Sequence, residues 1–184
     1  FVNRALVLTQ KYYEGKVPQQ GELTDYDKEV LAEMKAIPER ISKLVYAYKL
    51  RDAPAEAMNL ARLGNKYLAD QEPWKLVKTD EKRVETIMNI ALQITANLSI
   101  VLQPFLPSTA EKLSQFLNFK TTDWTQTGNS DLLAAGSLTN APTILFQKIE
   151  DSLVEAEVAK LQSTNTVESN FEPQKDTIDF EDFT

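Results

Sequence analysis

The sequence predicts an all-α fold, a bundle of about five helices within the first 118 residues. Apolar residues recur at helical spacing through most of this stretch. Capping motifs and prolines interrupt the pattern where helices are expected to begin and end. One segment, Thr86–Leu106, carries no charged residue and is apolar on nearly every side, as is typical of the central helix of a bundle.

The first two helices are predicted from spacing and from one cap. Phe1 to about Tyr13 places apolar and aromatic side chains on one face, and residues 14–21 form a loop. Thr24 and Asp27 have the spacing of a capping box for the second helix, which runs to about Leu50. Pro38 lies inside it, so we expect a kink or a restart there.

The third helix is predicted to begin near Asp52 and Pro54 and to end near Gln71. One of its faces is rich in small residues, which allows a neighbouring helix to approach closely. Gly64 and Asn65 fall on this face by periodicity. We therefore expect Asn65 to be buried and to bond the backbone of the turn at 72–74, in a supporting role.

The fourth helix, from about Asp80 to Gln103, is long enough to be mistaken for a membrane span. Asn89, Gln93 and Asn97 recur every four residues within it. Such a polar stripe is costly in lipid and easily satisfied inside a helical bundle. We therefore expect no membrane partner.

The remainder of the chain is predicted in four parts. Ser108 with Glu111 suggests a capping box for a short fifth helix, which ends near Asn118 and closes the bundle at 1–118. Residues 119–149 form an irregular return segment, in which 142–146 is extended and tucked against the bundle. Helical spacing returns over 150–162. Residues 163–184 are polar and acidic, as is typical of a linker.

Composition excludes several kinds of chemistry. The chain has no cysteine and no histidine, which removes disulfides, thiolate or imidazole metal sites and catalysis by either side chain. Its carboxylates lie on solvated faces, so we expect no catalytic residue, no metal and no cofactor in this chain. The lack of cysteine is compatible with a reducing cytoplasm.

Charge is unevenly divided along the chain. Residues 150–184 hold ten acidic and two basic residues, whereas the first 149 hold seventeen acidic and eighteen basic residues. A near-neutral body with an acidic tail is compatible with a nucleic-acid partner, although the net charge is −7.

The strongest candidate site is the segment NKYLADQEPWKLVK at 65–78. Pro73 fixes the direction in which Trp74 leaves the backbone, and Lys66, Lys75 and Lys78 flank it. An indole on a stiff turn beside lysines suits stacking on an unpaired base, with the lysines on phosphates. The alternative is that Trp74 plugs the end of the bundle. A packing role is expected for Trp124.

Three segments resemble the anticodon-binding domain of methionyl-tRNA synthetase over roughly residues 1–160. They are FVNRALVLTQKYYEGKVP, AMNLARLGNKYLADQEPWKLVK and VLQPFLPSTAEKL. The tail FEPQKDTIDFEDFT also looks like the lead-in to the appended tRNA-binding domain of many such enzymes, so we expect a piece of a longer protein.

The resemblance implies a parent enzyme of the class I aminoacyl-tRNA synthetases, which joins methionine to its tRNA. Its catalytic domain, with HIGH-like and KMSKS-like motifs, ATP and, where a zinc knuckle is present, zinc, would precede Phe1. This chain alone would be inactive. Helix 150–162 would fold back toward that catalytic domain, and its apolar side is expected to be partly exposed without it.

The resemblance also implies the anticodon-binding residues. Trp74 matches the family's tryptophan that stacks on an anticodon base, and Arg4 matches the arginine that reads a cytosine. The family's recognising asparagine would fall just before Phe1, and Asn3 does not replace it. A competing class is a protein-interaction bundle with Trp74 as an interface anchor. RNA binding should weaken steeply with salt, whereas a hydrophobic interface should not.

Overall fold

The computed structural model describes residues 1–120, 123–146 and 148–164. The helices are α1 (Val2–Tyr13), α2 (Asp25–Tyr46), α3 (Asp52–Gln71), α4 (Pro73–Leu76), α5 (Glu81–Val101), α6 (Pro107–Leu117) and α7 (Asp151–Thr164), with a 3₁₀ turn at Trp124–Gln126. No strand occurs in the described part of the chain, and the predicted all-α fold is confirmed. Residues 1–145 form one compact unit, and α7 belongs to a second.

Helix α5 is the core of the first unit. Every residue from Thr86 to Val101 is buried, and α5 contacts all the other helices of the bundle, from α1 to α6. The helix is long and apolar enough to cross a membrane, but 94% of its most apolar 18-residue stretch is buried inside the protein. Its apolar character is therefore explained by burial within the bundle.

The polar stripe of α5 binds the backbone of two loops. The Asn89 amide donates to the carbonyl of Pro18 (2.8 Å). Gln93 donates to the carbonyl of Leu133 (2.8 Å) and accepts from its N–H (3.0 Å). Asn97 donates to the carbonyl of Asn129 and accepts from the N–H of Gly128 (2.8 and 2.6 Å). The stripe thus satisfies irregular backbone that would otherwise be buried without partners.

The return segment is held at a second place, beside the loop that follows α1. An isolated antiparallel bridge joins Lys16 to Leu138. The Val17 N–H donates to the carbonyl of Ser137 (2.8 Å), and the Thr139 N–H donates to that of Gly15 (2.7 Å). Trp124 packs against the core, as predicted.

The capping box at Thr24 is confirmed, because its hydroxyl accepts from the Asp27 N–H and Asp27 accepts from the Thr24 N–H. Of the kink or restart predicted at Pro38, the restart does not occur, since α2 is one helix through that residue. The Pro38 ring is buried, so packing of this face offsets the missing backbone hydrogen bond. The helix also ends at Tyr46, before the predicted Leu50.

Two predictions near α6 need correction. Ser108 is not the cap, because Pro107 occupies the first turn and Leu106 precedes it without a side-chain cap. Proline is favoured there because that position has no hydrogen bond to lose. In segment 142–146, only Leu145 packs against the core, and Ile144 is 74% exposed.

A buried ion pair fastens three helices together. Asp27 of α2 is fully buried and accepts from the Arg83 guanidinium of α5 (2.5 and 2.8 Å) and the Tyr67 hydroxyl of α3 (2.6 Å). Burial raises the pKa of Asp27, but the hydrogen bonds from Arg83 and Tyr67 outweigh it and lower that pKa to about 2. Burial, and then the bond to Asp27, raise the pKa of the Tyr67 hydroxyl.

Helix α7 exposes its apolar side, as predicted. Leu153, Val154, Val158 and Leu161 are all exposed. The helix begins at Asp151 and ends at Thr164, close to the predicted 150–162. Most of the predicted linker at 163–184 lies outside the described residues.

Candidate nucleic-acid interface

The turn that carries Trp74 is built from a left-handed residue and a proline. Helix α3 ends at Gln71, and Glu72 follows with φ 43°, its N–H donating to the carbonyl of Leu68 (3.1 Å). Pro73 then opens the four-residue helix α4 with its ring buried. The left-handed cap and the fixed proline φ leave this reversal little conformational freedom. The sequence predicted the turn but not the short helix within it.

Trp74 is 39% exposed and lies outside the hydrophobic core cluster. The guanidinium carbon of Arg4 lies 5.9 Å from its ring centroid, within the range of a cation–π contact. Arg4 is itself exposed. The two anticodon-binding candidates, separated by 69 intervening positions in sequence, are therefore adjacent at one surface. The interpretation of Trp74 as a core plug does not fit this exposure.

A glycine sets the position of α1 beside α3. A Cβ on Gly64 would lie 2.4 Å from Cζ of Phe1, so the phenylalanine ring occupies the space that a side chain would need. Phe1 is directly before α1, and Arg4 follows within its first turn. The small-residue face predicted for α3 thus serves to seat the start of α1.

The three candidate lysines differ in their surroundings. Lys75 forms an ion pair with Glu72 (2.8 Å). Lys66 and Lys78 are exposed and make no ion pair within the described ranges. Two of the three are therefore free to meet an anion, and the third is held against the turn itself.

Asn65 is exposed, so the prediction that it is buried is wrong. Gly64, its neighbour, occupies the buried position instead, because one residue rotates a side chain by about 100° around a helix axis. Asn65 makes no hydrogen bond to the turn at 72–74 among the described residues. No contact among the described residues therefore supports the predicted role of Asn65 in holding the turn.

Sequence reasoning missed the residues that anchor the end of α3. The Arg83 guanidinium donates to the Gln71 side chain (2.6 Å) as well as to Asp27. The Tyr26 hydroxyl donates to Asp70 (2.6 Å). The last turn of α3, directly before the turn that carries Trp74, is thus tied to α2 and α5. The only sequence signal was Asp27, which was assigned to a cap alone.

Nothing in the described ranges groups three or more side chains of the kinds that hold a metal ion. The features of this surface are an aromatic ring, an arginine fork and two free lysines. These groups suit stacking, donation to a base edge and attraction of phosphate.

Comparison with known proteins agrees, along most of the chain, with the resemblance found in the sequence. The family model of the anticodon-binding domain of methionyl-tRNA ligase matches residues 17–166. A methionine–tRNA ligase of Bacteroides fragilis is 56% identical over the whole chain, and one of Porphyromonas gingivalis is 49% identical. The chain spans 28% of the length of these relatives.

Solved structures agree in fold. The free form of Mycobacterium tuberculosis methionyl-tRNA synthetase superposes with a TM-score of 0.72 over 81% of this chain and 31% of its own, at 24% identity. Its complex with methionyl-adenylate gives 0.71 over 80% of this chain and 30% of its own. By the family match and by these relatives, the chain belongs to the anticodon-binding domains of the methionyl-tRNA ligases.

Proposed function

We propose that this chain recognises the anticodon of methionine tRNA for a methionine–tRNA ligase. The observation that carries the proposal is the pair formed by Arg4 and Trp74, which meet at 5.9 Å on an exposed surface. Two helices far apart in sequence converge there, and neither side chain contributes to the core. The membership of the chain in the family supports the same role.

In this proposal, the half-exposed ring of Trp74 stacks on an anticodon base taken out of its own stack. The turn built from Glu72 and Pro73 holds the ring in place before RNA arrives, so little side-chain entropy is lost on binding. Arg4 offers a planar fork of donors to the edge of a neighbouring base. Lys66 and Lys78 attract the phosphates, and Lys75 joins them once it is released from Glu72.

The parent enzyme would supply the chemistry. Its relatives are methionine–tRNA ligases, and a structural neighbour holds methionyl-adenylate. We therefore infer that the parent uses ATP to activate methionine in a catalytic domain outside this chain. That domain is also the second partner that we propose for this chain, with no membrane involved and the cytoplasm as its place of action.

Replacing Trp74 by alanine in the full-length enzyme tests this function. We expect methionine activation to be nearly unchanged and charging of the cognate tRNA to fall by about 5- to 150-fold. This range corresponds to the loss of one base–aromatic stack, about 1–3 kcal/mol. Trp74→Phe should recover part of the loss, because a smaller ring still stacks.

The same variant separates the proposal from a packing role. If Trp74 served the fold, Trp74→Ala would lower the melting temperature by several degrees and slow both reactions together. Unchanged charging with lost stability would contradict the proposal. Binding of tRNA that did not weaken with salt would favour a protein-interaction bundle instead.

A further inference from the structure

The turn between α2 and α3 has an unusual residue in its left-handed position. The Tyr48 N–H donates to the carbonyl of Val45, and the Lys49 N–H donates to that of Leu44 (3.0 and 2.9 Å). This is the hydrogen-bond pattern of a Schellman motif, with Tyr48 at φ 57°. Glycine is the usual residue there, because any Cβ is strained at this φ.

The backbone strain at Tyr48 is not offset by packing of its side chain. Tyr48 is 87% exposed and Tyr46, at the end of α2, is 85% exposed. Neither ring belongs to the core cluster, and neither makes a ring contact or a side-chain hydrogen bond in the part of the chain that the structure describes. Two large aromatic side chains are therefore exposed to solvent, and the backbone of one of them, Tyr48, has a φ that disfavours any residue with a Cβ.

The turn itself carries only basic charge, and the acidic residues Glu39 and Asp52 border it. Residues 40–51, RISKLVYAYKLR, contain four basic residues and no acidic one. Arg40 pairs with Glu33 and Glu56, and Lys43 pairs with Glu39. Lys49 and Arg51 are exposed and make no ion pair within the described ranges. Two free cations thus flank the exposed tyrosine.

We propose that this tyrosine turn, residues 45–51, is a second RNA-contacting surface for the same tRNA. The proposal rests on the proposed function. Exposed rings stack on unpaired bases, and cations beside them neutralise phosphates, so the turn offers RNA both stacking surfaces and positive charge. Exposed Leu50 extends the surface that a nucleoside can cover.

The distance between the tyrosine turn and Trp74 is short enough for one RNA molecule to contact both. Trp74 lies just beyond one end of α3, and the tyrosine turn lies at the other. A helix of 20 residues spans about 30 Å. A tRNA is larger than this, so the anticodon can occupy the Trp74 surface while another part of the molecule reaches the turn.

Tyr48→Gly in the full-length enzyme gives the decisive test, because it removes the ring and the backbone strain together. We expect its melting temperature to hold or rise, while the Kd for a transcript of cognate tRNA weakens by about fivefold or more. Lys49→Ala and Arg51→Ala should each reduce the slope of log Kd against log salt concentration by about one.

Asn118→Gly is the matched control, since Asn118 is also exposed and left-handed (φ 48°) but carries no ring. It should leave the tRNA affinity unchanged. Trp74→Ala is titrated beside it. If Trp74→Ala weakens binding and Tyr48→Gly does not, the tyrosine turn is not an RNA surface and the proposed function stands.

Two other results would overturn the inference. A lower melting temperature for Tyr46→Ala or Tyr48→Gly in the full-length enzyme, with unchanged tRNA affinity, would mean that the turn packs against protein. If neither Trp74→Ala nor the turn variants altered tRNA affinity, the proposed function would fail together with the inference.

Discussion

At the scale of single residues, Arg4 and Trp74 differ in what they can contribute to an RNA-binding surface. A ring stacks on any base, because every base has a π-face, whereas a fork of N–H donors distinguishes one base edge from another. Their contact at 5.9 Å places both side chains on one small surface. Affinity and discrimination should therefore respond to different substitutions.

For Arg4→Gln in the full-length enzyme, we expect discrimination between the methionine anticodon and its single-base variants to fall by about 5- to 150-fold. The physical reason is the loss of a base-edge contact of about 1–3 kcal/mol. The measurement is kcat/KM for charging each of these tRNAs. Arg4→Lys keeps the charge but not the fork. If Arg4→Lys discriminates as well as the wild type, Arg4 acts as a charge alone.

At the scale of elements, the start of α1 depends on the absence of a side chain on α3. The Phe1 ring lies where a Cβ of Gly64 would be, and Arg4 lies one turn further along α1. A change on α3 that never touches RNA should therefore move Arg4 relative to Trp74.

We expect Gly64→Ala to weaken tRNA affinity while methionine activation is retained, because the new methyl group displaces Phe1. Overpacking costs about 1–3 kcal/mol of stability, which the better helix propensity of alanine partly offsets. The measurements are the Kd for tRNA and the melting temperature. Phe1→Ala combined with Gly64→Ala should recover affinity by relieving the clash. Unchanged affinity in Gly64→Ala alone would disprove the coupling.

Helix ends were predictable from sequence where a local motif sets them. The Thr24–Asp27 box sets the start of α2, and the helix starts predicted near Asp52 and Asp80 are each within a residue of the observed ones, although no side-chain cap precedes Asp52. The prediction for Asn65 was wrong because the buried stripe of α3 runs through Leu60, Gly64 and Tyr67, which leaves Asn65 just outside it. The anchoring of α3 by Arg83 was not predictable, since Asp27 lies 56 residues away.

At the scale of the whole molecule, the bundle depends on one buried charge pair that joins α2, α3 and α5. Asp27 is buried with Arg83 and Tyr67 directed at it, and its pKa in the folded state is about 2. A carboxyl whose pKa is depressed on folding stabilises the folded state above its unfolded pKa. That stability is lost as pH falls through the folded pKa.

We therefore expect the contribution of Asp27, about 2 kcal/mol, to be complete above about pH 4 and to disappear as pH falls toward 2. Asp27→Asn should lower the free energy of unfolding by about 3–5 kcal/mol at pH 7, because Arg83 is left without its charge partner. The difference between the two proteins should shrink near pH 2. Urea unfolding at several pH values measures both. A difference independent of pH would rule out the ion pair as its source.

The amide stripe of α5 has a consequence for synthesis on the ribosome. The carbonyls and N–H groups that Gln93 and Asn97 bind belong to residues 128–133, which lie 31 to 40 positions later in the chain. While these residues are still in the exit tunnel, a long apolar helix leaves it with Gln93 and Asn97 not yet bound to the loop, and it resembles a segment bound for insertion into a bilayer. The late loop therefore completes the burial of α5 that the other helices of the bundle begin, and a nascent chain that stalls after α6 should be held by chaperones.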